Sequence, residues 1–442
     1  MYRRVFYWFK RDLRIDDNKA FYEACKNSFE LIPLFIFIPS ILKKFRSYDR
    51  RTGFIISCLK HLSKEIEKKG GKLYCFHEEP VKVFYNLIKK YKPQAIYTNR
   101  AFSYSGEEVE NQVKRLCFDM GVDFISFSDI FLSKIENIPY KRVFSSFYRS
   151  WKMNLLLESL PIPHRINTPA LQEPDINEIS SNIKHEENSI WSISYGFQRL
   201  KSFDFIRYET LRNRVDLDGT SKFSPYIRFG LISLRKIYNL ASNTAGQDCQ
   251  FIKELAWREF WYHIKINFPE FKDLEFQEKR RNIHWENNEK FYKALIEAKT
   301  GYPIVDAAVV QLKEEGWMHN RARMIVASFL TKDLLIDWRW GEKFFMEYLI
   351  DYDEIVNIGN WQWTASVGPD AKPFRIFNPL IQAKKFDPYC GFIKKYLPQL
   401  KSIPIYKLQN PLSYRLPYYK PIVNHFERVL LARKIYLKTY ST

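Results

Sequence analysis

Between residue 2 and about residue 130, short apolar runs alternate with stretches of helical period, and this alternation limits the fold more than any other feature of the chain. The runs are "VFYWF", "LIPLFIFI", "KLYCF", "AIYTN" and "DFISF", each of strand length, and helices are expected between them near 52–69, 81–91 and 107–120. Strands joined by helices of this length assemble into a parallel sheet covered on both faces. Residues 1–130 are therefore expected to form an α/β domain.

Beyond it the pattern changes. Residues 131–196 are expected to be a connector: positions 158–189 hold four prolines and six acidic against two basic side chains, the composition of an interdomain linker. From 197 to 442, periods such as "FIKELAWREFWYHIKINF" and "RMIVASFLTKDLLIDW" predict an all-helical domain. A chain of 442 residues has the length for two or three domains.

Seventy Lys and Arg against 50 Asp and Glu leave a formal charge of +20 and a pI near 9.4. That is the footprint of a polyanion binder, nucleic acid first, with a solvated basic surface as the plain alternative. The longest near-apolar run, at 31–39, has strand length, so no membrane span is expected. The opening "MYRRVFYWFKRDLR" lacks the features of a secretory signal, and six scattered cysteines show no C-x-x-C spacing, which points to a reducing cytoplasm. No H-E-x-x-H, Walker or G-x-G-x-x-G motif occurs, so neither a metal site nor a common nucleotide-phosphate loop is expected.

Aromatic residues decide more than charge does. Eight of the 11 tryptophans fall between residues 257 and 363. In "ELAWREFW", Glu254, Trp257, Arg258 and Trp261 stand at i, i+3, i+4 and i+7, one stripe of one helix; alone, this is equally an amphipathic core helix. In "GWMHNRARMIVASFL", Asn320 and Met324 share a face with Arg323, while Arg321 is turned away by about 100°. "LIDYDEIVNIGN" places Asp351 and Asp353 in a loop before Asn357, a pair able to bind a metal or to accept from ribose hydroxyls or a flavin edge. "GTSKFS" offers hydroxyls, backbone donors and Lys222 to a diphosphate, or simply caps a helix. Finally, Trp361 and Trp363 in "NIGNWQW" are two positions apart, about 200° around a helix, so they meet opposite surroundings.

Together with "FKRDLRIDDN", "KTGYPIVDAAVVQLKEEGWMHNRARMIVASFLTKDLLIDWRWGE", "FRIFNP" and "KFDP", these stretches resemble the photolyase/cryptochrome family, most of all its class I cyclobutane pyrimidine dimer photolyases, from the opening to about Val423. The resemblance implies an N-terminal Rossmann-like domain and an all-helical domain that holds FAD. Carried over by position, Tyr208, Thr220, Ser221, Lys222, Phe223 and Ser224 hold the flavin, with Lys222 in place of the more usual Arg. Trp257 and Asn320 line the cofactor, Arg323 pairs with Asp351, Asp351 and Asp353 contact the isoalloxazine or ribityl region, and Asn357 faces flavin N5. Trp361, Trp338 and Trp285 match the family's electron-transfer series, running from the flavin toward the surface.

The lesion pocket matches Trp257, Trp363, Glu254, Asn320, Arg321 and Met324, with Arg212, Arg258, Arg321 and Arg375 as candidate contacts to DNA. Ultraviolet-damaged DNA is the implied partner, the dimer being flipped out of the stack into the pocket. Glu254, if burial raises its pKa, donates a hydrogen bond to the dimer radical anion. A second, light-harvesting chromophore (folate, deazaflavin or flavin) is left open, because "NRAFSYSGEEVE" matches the pterin-contacting region poorly. A monomer is expected. A cryptochrome-type photoreceptor is the alternative in another functional class, and Asn357 favours repair over it. A (6-4) photolyase would have histidines at Asn320 and Met324, and a flavin-free DNA-binding protein would be colourless. Asn360 and the short "KPFRIFNP" depart from the usual pattern at the lesion mouth.

Overall fold

The structure, a computed structural model, describes residues 1–44, 48–185, 190–370, 372 and 374–439. Glu186, Glu187 and Pro373 of the stretches above lie outside the described residues. The chain forms two compact units. The first comprises Met1–Asn137, Lys152–Phe203 and Ser221–Gln247; the second comprises Ile138–Trp151, Asp204–Thr220 and Asp248–Thr442.

The first unit is built on strands β1 (Tyr2–Phe9), β2 (Ser28–Phe37), β3 (Tyr74–His77), β4 (Ala95–Asn99) and β5 (Asp123–Phe127). All pairs are parallel, in the order β3-β2-β1-β4-β5, with Val5 opposite both Leu31 and Ala95. Phe6, Trp8, Ile32, Leu34 and Ile96 on one face pack on Phe84, Leu87 and Val113 from helices α2 (Pro80–Tyr91) and α3 (Tyr104–Asp119). On the other face, Tyr7 and Phe9 pack on Phe21 of α1 (Lys19–Lys26), a helix that the sequence pattern did not reveal.

Two expected boundaries are corrected. The polar stretch 158–185 is not a free linker. Strand β2 extends beyond the short edge strand β3, and its exposed flank is closed by Asn167 and Thr168: Leu31 N–H donates to Asn167 O at 2.9 Å, and the Thr168 hydroxyl donates to Leu31 O at 2.8 Å. Cys75 N–H on β3 donates to Pro174 O in the same way. An edge with unpaired backbone groups is costly, and a proline-rich segment rich in carbonyls satisfies it.

The second correction concerns Ser221–Gln247, which belongs to the sheet unit and not to the helical domain expected from 197 onward. Arg235 forms a buried ion pair with Asp17 and Asp129, both at 2.8 Å, and Phe54 packs on Tyr226 and Phe229. At Gly230 (φ +65) a Cβ would stand 2.2 Å from Arg11 O, so only glycine permits this approach.

The second unit contains no strand among its described residues, as the helical periods predict. Its centre is α4 (Gln250–Asn267), α5 (Asn320–Ser328), α6 (Trp338–Tyr348), α7 (Glu354–Thr364) and α8 (His425–Lys438). Trp261, Trp338 and Trp361 are fully buried among them. No helix among the described residues is long and apolar enough to cross a membrane.

Candidate functional site

Helix α7 begins at Asp353, whose side chain caps it by accepting from Val356 N–H while its other oxygen accepts from Tyr262 Oη at 2.6 Å. Asp353 lies in the loop the sequence suggests, and both its oxygens are engaged in fixing α7 against α4. The same two helices close again where Trp261 lies on Gly359, a position at which a Cβ would stand 2.3 Å from the indole.

Asp351 is held differently. Its Oδ2 accepts from Arg323 Nη2 at 2.8 Å, the pairing expected from the sequence, and Arg323 is oriented by donating through Nε to Met318 O. Its Oδ1 is buried without a hydrogen-bond partner among the described residues. A buried carboxylate oxygen with no donor is costly unless a ligand supplies one. One turn into α7, Asn357 is buried and its amide nitrogen donates to Glu342 Oε1 (3.0 Å) and Glu342 O (3.1 Å). Tyr352 Oη donates to the same carboxylate at 2.9 Å. Burial pushes the Glu342 carboxyl up, against the pull of these two bonds. Glu342 and Tyr352 carry no recognisable motif and were missed.

The two tryptophans of α7 do face opposite surroundings. Trp361 is 2 % exposed, edge-on to Phe345 with centroids 4.9 Å apart, and pressed onto Gly341 of α6 so closely that a Cβ there would stand 2.1 Å from the ring. Trp338 begins α6, fully buried, while Trp285 is half-buried with its ring edge-on to Tyr436. Trp361 and Trp338 are thus core residues, and Trp285 is the more exposed of the three. Trp363, half-buried, lies between Phe377 (centroids 6.1 Å) and the Arg375 guanidinium (4.2 Å from the ring). Arg375 itself is ion-paired with Asp370, Nη2 to Oδ1 at 2.9 Å.

On α4, Trp257 stacks on Phe144 with centroids 3.8 Å apart and planes 5° from parallel, and lies 5.5 Å from Trp261. Glu254 departs from the expectation of a buried donor. It remains 29 % exposed, pairs with Arg212 at 2.7 Å and accepts from Gln250, so in this state it is an acceptor. Arg258 lies over Tyr262, its guanidinium 5.3 Å from the ring centroid. Tyr208 packs edge-on to Phe251, and burial, followed by the Glu254 charge, raises its phenol.

Helix α5 presents Asn320 at the surface with Met324 beside it, the amide 3.8 Å from the sulfur. Arg321 points elsewhere: it donates to Asn213 Oδ1 at 2.6 Å and stands 4.3 Å over Phe386. Burial, then repulsion from Arg212, lowers its pKa to about 10, which leaves it charged at neutral pH. Within "GTSKFS", Ser224 opens the helix Ser224–Arg228 and Lys222 adopts φ +57, while Ser221 Oγ accepts from Phe223 N–H. Asn360, exposed, donates to Val356 O. No group of three or more His, Cys, Asp and Glu able to hold a metal occurs among the described residues.

Residues 251–438 match the FAD binding domain of DNA photolyase, and residues 5–169 match DNA photolyase. A deoxyribodipyrimidine photo-lyase of Synechococcus is 35% identical over 95% of this chain and 94% of its own. Among solved structures, the archaeal photolyase of Sulfolobus tokodaii with two FAD molecules superposes with a TM-score of 0.90 at 32% identity, covering 98% of this chain and 100% of that one. A class III photolyase of Agrobacterium tumefaciens gives 0.88 at 30% identity, over 100% and 98%. With both segments matched and such relatives aligned from end to end, the chain belongs to the DNA photolyase family, and its helical unit carries that family's FAD-binding domain.

Proposed function

We propose that this chain repairs cyclobutane pyrimidine dimers in DNA under blue or near-ultraviolet light, with reduced FAD as its cofactor. The observation that carries the reading is α7, which turns Trp361 into the core beside α6 and Trp363 outward between Phe377 and Arg375. The residues present fit FAD: Asp351 keeps a buried, partnerless oxygen for a ring N–H or a ribityl hydroxyl, and Asn357 spends its amide nitrogen on Glu342, which leaves its carbonyl oxygen for the ring edge. Tyr208, Thr220, Trp257, Asn320 and Arg323 of the same unit complete the proposed binding set. When bound and photoexcited, reduced FAD supplies one electron to the dimer and takes it back once the ring has split.

The protein's own part is positioning and electrostatics. Trp363 and Trp257 stack a flipped base, Arg321 and Arg212 hold it near the surface Asn320 and Met324, and Glu254 shifts from Arg212 toward the lesion when DNA enters. Trp361, Trp338 and Trp285 pass electrons inward to restore the reduced state. The test is an absorption spectrum of the purified protein followed by repair of ultraviolet-irradiated oligonucleotide in light and in darkness. Flavin bands with repair in light alone are expected. A colourless protein overturns the reading, and light-driven flavin reduction without repair replaces it with a cryptochrome-like photoreceptor.

The Sulfolobus tokodaii relative, with its two FAD molecules, favours a flavin over a folate or deazaflavin as the second, light-harvesting chromophore here. Acid release and chromatography of the chromophores should then give FAD in excess of one per chain.

A further inference from the structure

Trp361 and Trp338 are both buried, yet their indole nitrogens have opposite surroundings. Trp361 Nε1 has no hydrogen-bond partner among the described residues. Trp338 Nε1 donates to Glu275 Oε1 at 3.2 Å, and Glu275 is itself 4 % exposed. The same oxygen accepts from Arg339 Nη1 at 2.9 Å, and Asp337 Oδ2 accepts from that nitrogen at 3.1 Å. The Arg339 guanidinium also lies 4.6 Å from the Trp338 ring centroid. Two carboxylates and the Arg339 guanidinium therefore stand beside Trp338, and Arg281 donates through Nε to the Glu275 backbone carbonyl at 3.2 Å.

Removing an electron from an indole leaves a cation whose N–H is a strong acid and whose charge is stabilised by a nearby anion, more so where the surroundings are dry. Arg339 over the ring opposes such a charge, while Glu275 is placed at the N–H where the acidity develops. At Trp361 no acceptor stands at the nitrogen.

We propose that Glu275 is a positioning residue for photoreduction, which makes electron flow from Trp338 to Trp361 favourable and holds the resulting charge on Trp338. The inference rests on the proposed tryptophan series. Trp361 gives one electron to the photoexcited, oxidised flavin; one electron from Trp338 refills Trp361; one from Trp285 then refills Trp338. No covalent bond forms or breaks, no proton leaves Trp361, and the Trp338 proton stays on Nε1, held in its hydrogen bond to Glu275.

The test is transient absorption of the oxidised, FAD-loaded protein, reading the lifetime of the tryptophan radical cation and the yield of reduced flavin. Glu275→Gln keeps the size and an acceptor but loses the charge, and should lower the yield of long-lived radical roughly tenfold. Glu275→Asp should restore most of it. Arg339→Gln, which removes the opposing cation, should shift the yield upward and decides the matter if Glu275→Gln does not fold. Wild-type yield in Glu275→Gln means that Glu275 only anchors Arg339, and overturns the inference. Trp361→Phe separates the two levels: if it blocks photoreduction while Glu275→Gln does not, the tryptophan series stands and the role of Glu275 falls. If Trp361→Phe photoreduces normally, the series itself falls.

Discussion

Trp361 and Trp363 are separated by one residue and by the whole thickness of their helix, so substitution at each should affect a different step. Trp361→Phe keeps an aromatic ring against Phe345 and Gly341 but removes the indole. It should abolish light-driven reduction of oxidised flavin while chemically reduced protein repairs DNA at the normal rate. Undiminished photoreduction would contradict this role. Trp363→Ala removes an aromatic face flanked by Phe377 and Arg375. The expected loss is about 1–3 kcal/mol in binding to dimer-containing DNA, the usual value of one base-stacking ring, at unchanged FAD content. Equal lesion affinity in the two proteins would refute the assignment.

At the scale of elements, the loop entering Pro303–Glu315 is clamped by Asp306. One carboxylate oxygen accepts from Thr300 N–H (2.9 Å) and Thr300 Oγ1 (2.7 Å), and the other accepts from Gly301 N–H and Tyr418 Oη, both at 3.1 Å. Burial nevertheless outweighs these bonds and raises the carboxyl from 3.8 to about 6. A carboxyl raised on folding favours the folded state below its unfolded pKa, and that contribution is lost as pH rises through the folded value. Between about pH 3 and pH 7 the wild type should lose roughly 3 kcal/mol relative to Asp306→Asn, two pKa units' worth. Urea unfolding of both proteins across that range checks it, and a constant difference would sink the idea.

The same scale shows what the sequence could and could not disclose. Strands β4 and β5 were read to the residue, because apolar runs bounded by turns leave little choice. The helix Lys19–Lys26 was missed: eight residues after a polar loop carry only two turns of pattern. Tertiary partners were harder still. Asp351 with Arg323 was legible through the resemblance, but Glu342, Glu275 and Tyr262 matter through residues 15, 63 and 91 positions away, and no local period encodes such pairs. Lys332, which no motif marks, is fully buried, with its Nζ 3.7 Å from the centre of the Tyr436 ring and its pKa well below normal through burial and Arg280.

For the whole molecule, a charge of +20 predicts binding to DNA that weakens steeply with salt, by about 0.9 log units of affinity per log unit of salt for each phosphate contacted. Which arginines supply those contacts depends on their present partners. Arg212 and Arg375 are each neutralised by a carboxylate, Glu254 and Asp370. Among the described residues Arg321 is held by neutral groups, Asn213 and Gln382, and is repelled by Arg212, so no carboxylate there neutralises it. A phosphate or a lesion carbonyl is the natural complement. Arg321→Ala should therefore reduce the slope of log affinity against log salt by about one, without breaking an ion pair. Titration of dimer-containing duplex at several salt concentrations measures it. A slope equal to that of the wild type would mean that Arg321 serves only to pin Asn213 and Phe386 in place, and that the charge felt by DNA lies elsewhere on the surface.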